Sequence, residues 1–250
     1  MTNNLGGSTA LVTGATAGIG EATAVRLAEL GASVIVHGRS VERGDAVVKE
    51  IQAAGGQARF LAADLADPDQ VRHLAQEAGD VDILVNNAGV FRFGPTADVD
   101  DATFSLHIDT NLRAPFLLVQ HLAPGMAARG GGAVVNVSTF GASVAVKNGG
   151  IYSATKAGLE LLTRVWADEF GPSGVRVNAV GVGPTRTPGA AVYGELIEGL
   201  GKAFALGRPA DAREIAETIA FLASPAAGIV NGAVLQAHGG LKAVVMPGQD

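Results

Sequence analysis

The sequence predicts an α/β protein, a doubly wound parallel sheet of seven strands with helices on both faces. Three observations lead there. Short apolar runs rich in Val and Ile recur along the chain, bounded by Gly, Asn or Asp. Amphipathic stretches separate them, and repeated strand–helix–strand units with right-handed crossovers build a parallel sheet covered on both sides. No linker, charge block or internal repeat divides the 250 residues, so one domain is expected over 1–250.

The elements follow in order. Residues 10–12 read as the first strand, and a helix follows over 19–30, where Ala22, Val25, Leu27 and Leu30 fall in an apolar stripe. The second strand is 34–36 and its helix 41–54. The third pair is 58–62 and 68–78. The strand at 83–85 precedes a long helical stretch over 102–128. The strand at 133–137 leads to a helix over 152–170. The strand at 175–180 leads to a helix over 211–222, and 233–235 closes the sheet. Residues 188–207 break this rhythm, with Pro-Gly-Ala-Ala followed by an amphipathic piece that ends at Gly207. An insertion there, above the strand ends, suits a substrate lid.

Composition narrows the function. With 48% hydrophobic and 17% charged residues the chain can bury a sizeable core. A formal net charge of −6 without a Lys/Arg cluster argues against nucleic acid as a partner. The absence of cysteine excludes disulfides, a thiol nucleophile and thiolate metal sites. His37, His73, His107, His121 and His238 are scattered and suggest no metal site. The first eight residues lack an apolar signal core, and no run reaches the 18 apolar residues of a membrane span. A soluble, cytoplasmic protein is expected.

Ligands of such sheets bind at the carboxyl ends of the strands. After the first strand comes Thr13-Gly14-Ala15-Thr16-Ala17-Gly18-Ile19-Gly20, then a helix. Glycines there let the backbone approach a pyrophosphate, and the helix N-terminus favours its charge. The turn Gly14, Thr16, Ala17, Gly18, Ile19 and Gly20 is therefore read as a dinucleotide site. The second strand ends in Gly38-Arg39-Ser40 without the acidic residue that would accept from a ribose hydroxyl. The Arg39 guanidinium suits a phosphate and Ser40 adds a hydroxyl, so NADP(H) is favoured and NAD(H) is the alternative. Asp64-Leu65 follows the third strand, where Asp64 suits an adenine amino group. Asn86-Asn87-Ala88-Gly89 follows the fourth and is read as holding the third and fourth strand ends together behind the cofactor. Tyr152 and Lys156, four residues apart at the head of a helix, share one face.

Taken together, Thr-Gly-x-x-x-Gly-x-Gly at 13–20, Asn-Asn-Ala-Gly at 86–89, Asn111, hydroxyls at 138–139, Tyr-x-x-x-Lys at 152–156 and Val182-Gly183-Pro184-Thr185-Arg186-Thr187 form an ordered set. This set resembles the short-chain dehydrogenase/reductase family of the 250-residue type, over essentially the whole chain. The resemblance implies a Rossmann-type fold and gives the residues roles. Tyr152 would be the general acid/base, and Lys156 would stabilise its phenolate and bind the nicotinamide ribose. Asn111 would interrupt a helix and hold a water of the proton relay. The family places a substrate-orienting serine 13 residues before the tyrosine. That register falls on Thr139, while Ser138 has the family's Ser-x-x-Gly spacing to Gly141, so both hydroxyls stay candidates. The family's Pro-Gly-x-x-x-Thr turn maps onto Val182, Gly183 and Thr187, with Thr185 offering its N–H to the carboxamide. His238 stands where the family more often has Asp, and is read as a packing or interface residue.

The implied reaction is hydride transfer between NADP(H) and a ketone or secondary alcohol. The alternatives are a 3-oxoacyl thioester reductase and, in another class, a non-catalytic nucleotide-sensing scaffold. Phe91, Phe93, Phe140, Val144, Val146 and Ile151, with Val192, Tyr193, Leu196 and Phe204 of the lid, are candidate pocket walls. They are mostly apolar, so a small neutral carbonyl or alcohol is the expected substrate. The resemblance also implies a homo-oligomer, tetramer or dimer, paired through the helices at 102–128 and 152–170.

Overall fold

The computed structural model describes residues 4–242, with the side chains of Val192 and Tyr193 outside the described residues. Seven strands form one sheet: β1 (Thr9–Val12), β2 (Ser33–Gly38), β3 (Gln57–Ala62), β4 (Ile83–Asn86), β5 (Gly132–Thr139), β6 (Val175–Val182) and, after two short strands described below, β9 (Val234–Ala237). Their order is β3-β2-β1-β4-β5-β6-β9 and every pair is parallel. The order reverses between β1 and β4, which opens a crevice at the carboxyl ends of those strands. The expected fold is thus present, with strand boundaries moved by one or two residues.

Side-chain alternation sorts the sheet into two apolar layers. Val12, Val36, Val85 and Val135 pack with Leu27 of α1 (Gly18–Glu29), Ile51 of α2 (Val41–Ala53) and Ile219 of α8 (Ala212–Ala223). Leu11, Ile35, Leu84 and Val134 pack with Leu74 of α3 (Pro68–Ala78), Leu118 of α5 (Ala114–Ala128) and Leu159 of α6 (Gly150–Phe170). Each such fully buried side chain contributes about 1.5–3 kcal/mol of transfer free energy.

The stretch at 102–128 is not one regular helix. It consists of α4 (Asp101–Ile108), a π-helical turn (Asp109–Arg113) and α5. Pro115 has no N–H to return to the Asn111 carbonyl four residues back, so a regular ladder cannot run through this point. The Ala114 N–H bonds the Asp109 carbonyl instead. The 188–207 insertion holds a 3-10 segment (Pro188–Tyr193) and α7 (Gly194–Lys202). It is flanked by a two-stranded parallel pair, β7 (Thr185–Arg186) and β8 (Ala210–Asp211), which the sequence reading missed. Arg186 ties the insertion down, bonding Glu198 of α7 through two nitrogens at 2.7 and 3.0 Å and Asp211 at 3.1 Å.

A polar chain crosses the second layer. Asn86 donates to Asn136 at 2.8 Å, and Asn136 donates to Thr163 of α6 at 2.8 Å. All three are buried. Replacing Asn136 with alanine strands the Asn86 amide, so Asn136→Ala should lower stability by about 2–4 kcal/mol, read from urea unfolding midpoints.

Candidate active site

One cleft of about 510 Å³ runs along the carboxyl edge of the sheet and gathers most of the residues singled out above. Gly14, Thr16, Ala17, Gly18 and Ile19 line it from the turn after β1, and Arg39 from the end of β2. Asp64 and Leu65 line it after β3, and Asn87, Ala88 and Gly89 after β4. Ser138, Thr139, Tyr152 and Lys156 line it from β5 and α6, and Gly183, Thr185 and Thr187 after β6. Three predicted residues lie beside the cleft rather than on its wall. A methyl group at Gly20 would collide with the Gly14 carbonyl oxygen and the Asn87 side chain, so this glycine serves close helix–strand packing. Ser40 caps α2, accepting from the Arg43 N–H at 3.4 Å. Asn111 is buried.

The glycine turn is open to an anion. Gly14 and Gly18 have φ of 64° and 61°, which a side chain disfavours. Side chains cap α2, α3 and α4, from Ser40, Asp67 and Asp100, whereas α1 has no side-chain cap at Ala17. Its first N–H groups therefore face the cleft end with a positive dipole, which fits a pyrophosphate. At the far end Arg39 is joined by Arg43, which sequence reading missed. The signal was a four-residue spacing across the first turn of α2. Asp64 uses one carboxylate oxygen to accept from the Ala66 N–H at 3.0 Å.

The Asn-Asn-Ala-Gly turn joins β4 to β1 and β5, not to β3 as expected. Asn87 donates to the carbonyls of Thr13 at 2.8 Å and Gly14 at 3.2 Å, and the Thr13 hydroxyl accepts from the N–H groups of Asn87 and Ala88, both at 3.0 Å. The reason is strand order, since β4 lies between β1 and β5. His37, buried at the end of β2, pins the glycine turn after β1: its Nδ1 accepts from the Gly14 N–H at 3.2 Å, which leaves Nε2–H to donate to the Ala63 carbonyl at 3.2 Å.

At the other end of the cleft the two hydroxyls diverge. Ser138 turns toward α6 and donates to Glu160 at 2.6 Å. The Thr139 hydroxyl lies by the Tyr152 phenol, and it accepts from the Gly141 N–H at 3.3 Å. Lys156 is buried and donates to the Val137 carbonyl at 2.8 Å. Burial brings its ammonium down to about 8. Burial raises the Tyr152 phenol above its ordinary value, and the Thr139 side chain opposes it. Asn111 grips one residue with both ends of its amide, accepting from the Val90 N–H at 2.8 Å and donating to the Val90 carbonyl at 2.9 Å.

Phe91 and Phe93 stand edge-on to the Tyr152 ring, with centroids 6.5 and 5.8 Å away. With Phe140, Val146 and Leu196 they line the cleft, as expected, and Ile197 and Leu200 of α7 extend the wall. Val144, Ile151 and Phe204 do not line it. Val144 points outward, and Phe204 packs behind Phe140 at a centroid distance of 5.1 Å. His238 packs on Phe204 at 5.4 Å and accepts from the Gly240 N–H at 3.1 Å, which is the packing role read from sequence. Thr185 donates to the Gly183 carbonyl at 3.0 Å, and Thr187 caps the 3-10 segment by accepting from the Ala190 N–H at 3.2 Å. Among the described residues no group of three His, Cys, Asp or Glu side chains could hold a metal ion, and no helix is long and apolar enough to cross a membrane.

Comparison with known proteins agrees with this geometry. A family model described as enoyl-(acyl carrier protein) reductase matches residues 14–242. A cis-4-hydroxycyclohexanecarboxylate dehydrogenase of Sinomonas cyclohexanicum is 41% identical over 241 residues, covering 94% of this chain and 96% of the relative. A solved structure of a short chain dehydrogenase/reductase family protein superposes with a TM-score of 0.89 at 48% identity, covering 95% and 98%. A 3-oxoacyl (acyl-carrier-protein) reductase from Agrobacterium tumefaciens C58 with NADP bound superposes with a TM-score of 0.91 at 31% identity, covering 95% of each chain.

Burial pushes the His37 imidazole down to about 4, more than Asp64 nearby raises it. The unfolded chain takes up this proton near pH 6.5 and the folded one only near pH 4, so stability falls as pH drops through that window. The loss approaches roughly 3 kcal/mol by pH 4, at about 1.4 kcal/mol per unit. Calorimetric melting from pH 7 to 4 should show a shallower decline for His37→Gln than for the wild type.

Proposed function

The chain belongs to the short-chain dehydrogenase/reductase family, and on that footing we propose that it transfers a hydride between NADP(H) and a ketone or secondary alcohol, with Tyr152 as general acid/base. The observation that carries this reading is the meeting of Thr139, Tyr152 and Lys156 at one end of a cleft whose other end carries Arg39 and Arg43. The uncapped start of α1, the bare glycine turn and the two guanidinium groups fit a phosphorylated dinucleotide between them. A structural relative carries NADP. Arg39 and Arg43 would take the ribose phosphate by charge-assisted hydrogen bonds, and Thr185 and Thr187 would flank the nicotinamide end.

The cofactor, when bound, gives or takes the hydride. The proton is the protein's task. In reduction the Tyr152 hydroxyl donates its proton to the substrate oxygen, and in oxidation the phenolate takes the hydroxyl proton. The Thr139 hydroxyl, beside the same phenol, orients the substrate oxygen; Ser138, committed to Glu160, does not. Lys156, held by the Val137 carbonyl, remains mostly cationic below pH 8 and offers positive charge one turn from the phenol. Asn111 fixes the loop after β4 through Val90, and the π-turn around it suits the relay water.

The walls favour a neutral, ring-bearing substrate. Phe91, Phe93 and Phe140 offer flat apolar surfaces, and α7, the lid, closes over them with Leu196, Ile197 and Leu200. The Sinomonas relative is named for a hydroxylated cyclohexane ring that carries a carboxylate, which supports the ring and not the neutrality. A 3-oxoacyl thioester is the second reading, favoured by the Agrobacterium relative. Exposed Phe116, Leu161 and Val165 on α5 and α6 support pairing into a homo-oligomer, and we read the protein as cytoplasmic.

Tyr152→Phe should lower kcat by about 10²–10⁴ while the NADPH dissociation constant stays within twofold, measured by steady-state assay and fluorescence titration. Wild-type turnover in that variant would leave the scaffold reading in its place. Replacing Arg39 and Arg43 with serine should weaken NADPH about 10–100-fold and leave NADH unchanged. Cyclohexanone should be reduced faster than pyruvate; the reverse order would discard the neutral-substrate reading.

A further inference from the structure

Side chains of α6 reach each of the last four residues of β5. Thr163 accepts from Asn136 at 2.8 Å, Lys156 donates to the Val137 carbonyl at 2.8 Å, Glu160 accepts from Ser138 at 2.6 Å, and Tyr152 lies by Thr139. The reaction described above uses Tyr152, Lys156 and Thr139, and Thr163 completes the asparagine chain. Glu160 is left without a task. It is 8% exposed, one helical turn beyond Lys156, on the face of α6 that packs on the sheet. A carboxyl group is costly there, and an apolar side chain would pack at lower cost. What the carboxyl supplies, and an apolar group cannot, is a short directional bond to the residue before Thr139.

We propose that Glu160 is a positioning residue for the reaction: by holding the Ser138 hydroxyl it fixes the end of β5 against α6, and so fixes Thr139 relative to Tyr152. This rests on the reading of Tyr152 as acid/base and Thr139 as its partner. The geometry allows little slack. Ser138 and Thr139 are the last two residues of β5, paired on one side with Gly181 and Val182 of β6. Beyond them the chain enters the 3-10 turn Phe140–Ala142, where Gly141 lies close to Ser153 of α6. The Ser138–Glu160 bond is the last side-chain link to α6 before the Thr139–Tyr152 contact itself. Loss of such a link displaces a reacting group by a fraction of an ångström, which is enough to slow a proton transfer.

The test compares Glu160→Leu, Glu160→Gln, Ser138→Ala, Thr139→Ala and Tyr152→Phe by kcat, NADPH dissociation constant and the pH profile of alcohol oxidation. Glu160→Leu and Ser138→Ala should lower kcat roughly tenfold with NADPH affinity within twofold. The rise of oxidation activity with pH, which follows ionisation of the phenol, should move to higher pH in both, as in Thr139→Ala, because the phenol loses the neighbour that lowers it. Glu160→Gln keeps an acceptor oxygen and should recover most of the kcat lost in Glu160→Leu. An unmoved pH profile with only a lower melting temperature, in either Glu160→Leu or Ser138→Ala, overturns the proposal. If Glu160→Leu does not fold, Ser138→Ala and Glu160→Gln carry the same readout. Wild-type turnover in Tyr152→Phe would instead overturn the parent reading, whatever the Glu160 variants do.

Discussion

The site depends on how α6 is seated against the end of β5. The sheet supplies the Thr139 hydroxyl and the helix supplies Tyr152 and Lys156, so neither element makes a reacting centre alone. Apolar packing holds them together, with Leu159 and Trp166 buried beneath. Such packing is non-directional and tolerates small slips. Register comes from the polar links along the strand, which are satisfied in one alignment only. The same seating decides which of two adjacent hydroxyls faces the cleft. Side chains alternate along a strand, so turning Ser138 toward the helix layer leaves Thr139 at the phenol.

Most of the architecture was legible because it follows from periodicity. Buried parallel strands must be apolar on both sides, and 34–36 or 175–180 could be read on that ground alone. The features that periodicity does not encode were missed or, like the helix break at Asn111, were expected from the family resemblance alone. The break at Asp109–Arg113 lies inside an amphipathic pattern that continues on both sides. Its signal was Pro115, four residues after Asn111, a matter of one missing N–H rather than of hydropathy. The β7–β8 pair has two residues per strand, too short to leave a pattern.

Within the site, residues whose contribution is a backbone position or a charge at a strand end were found by counting. Those whose contribution depends on direction were not. Ser138 and Thr139 are chemically alike, and only the facing layer separates them. Arg43 has no motif and enters the cleft because a helix begins two residues after Arg39. The Tyr152–Lys156 pair was legible as a pair, but its electrostatics were not. Spacing places the two groups one turn apart and says nothing of how deeply both are buried, and burial is the larger influence on each. His37 and His107 carried no signal at all in the sequence beyond being histidines in apolar surroundings.

His107 repeats the wiring of His37: its Nε2 accepts from the Arg92 N–H at 3.1 Å, and Nδ1–H donates to the Thr103 carbonyl at 2.8 Å. Each bridges one amide and one carbonyl that belong to different segments, the task ordered water performs in many proteins. Here the bridge is tethered to the chain. A tethered bridge does not exchange with solvent, takes up no volume when a ligand arrives and cannot be displaced by one. The turn after β1 is therefore tied through His37 to the end of β3, and the loop after β4 is tied through His107 to α4, each by a link that stays in place when a ligand enters the cleft.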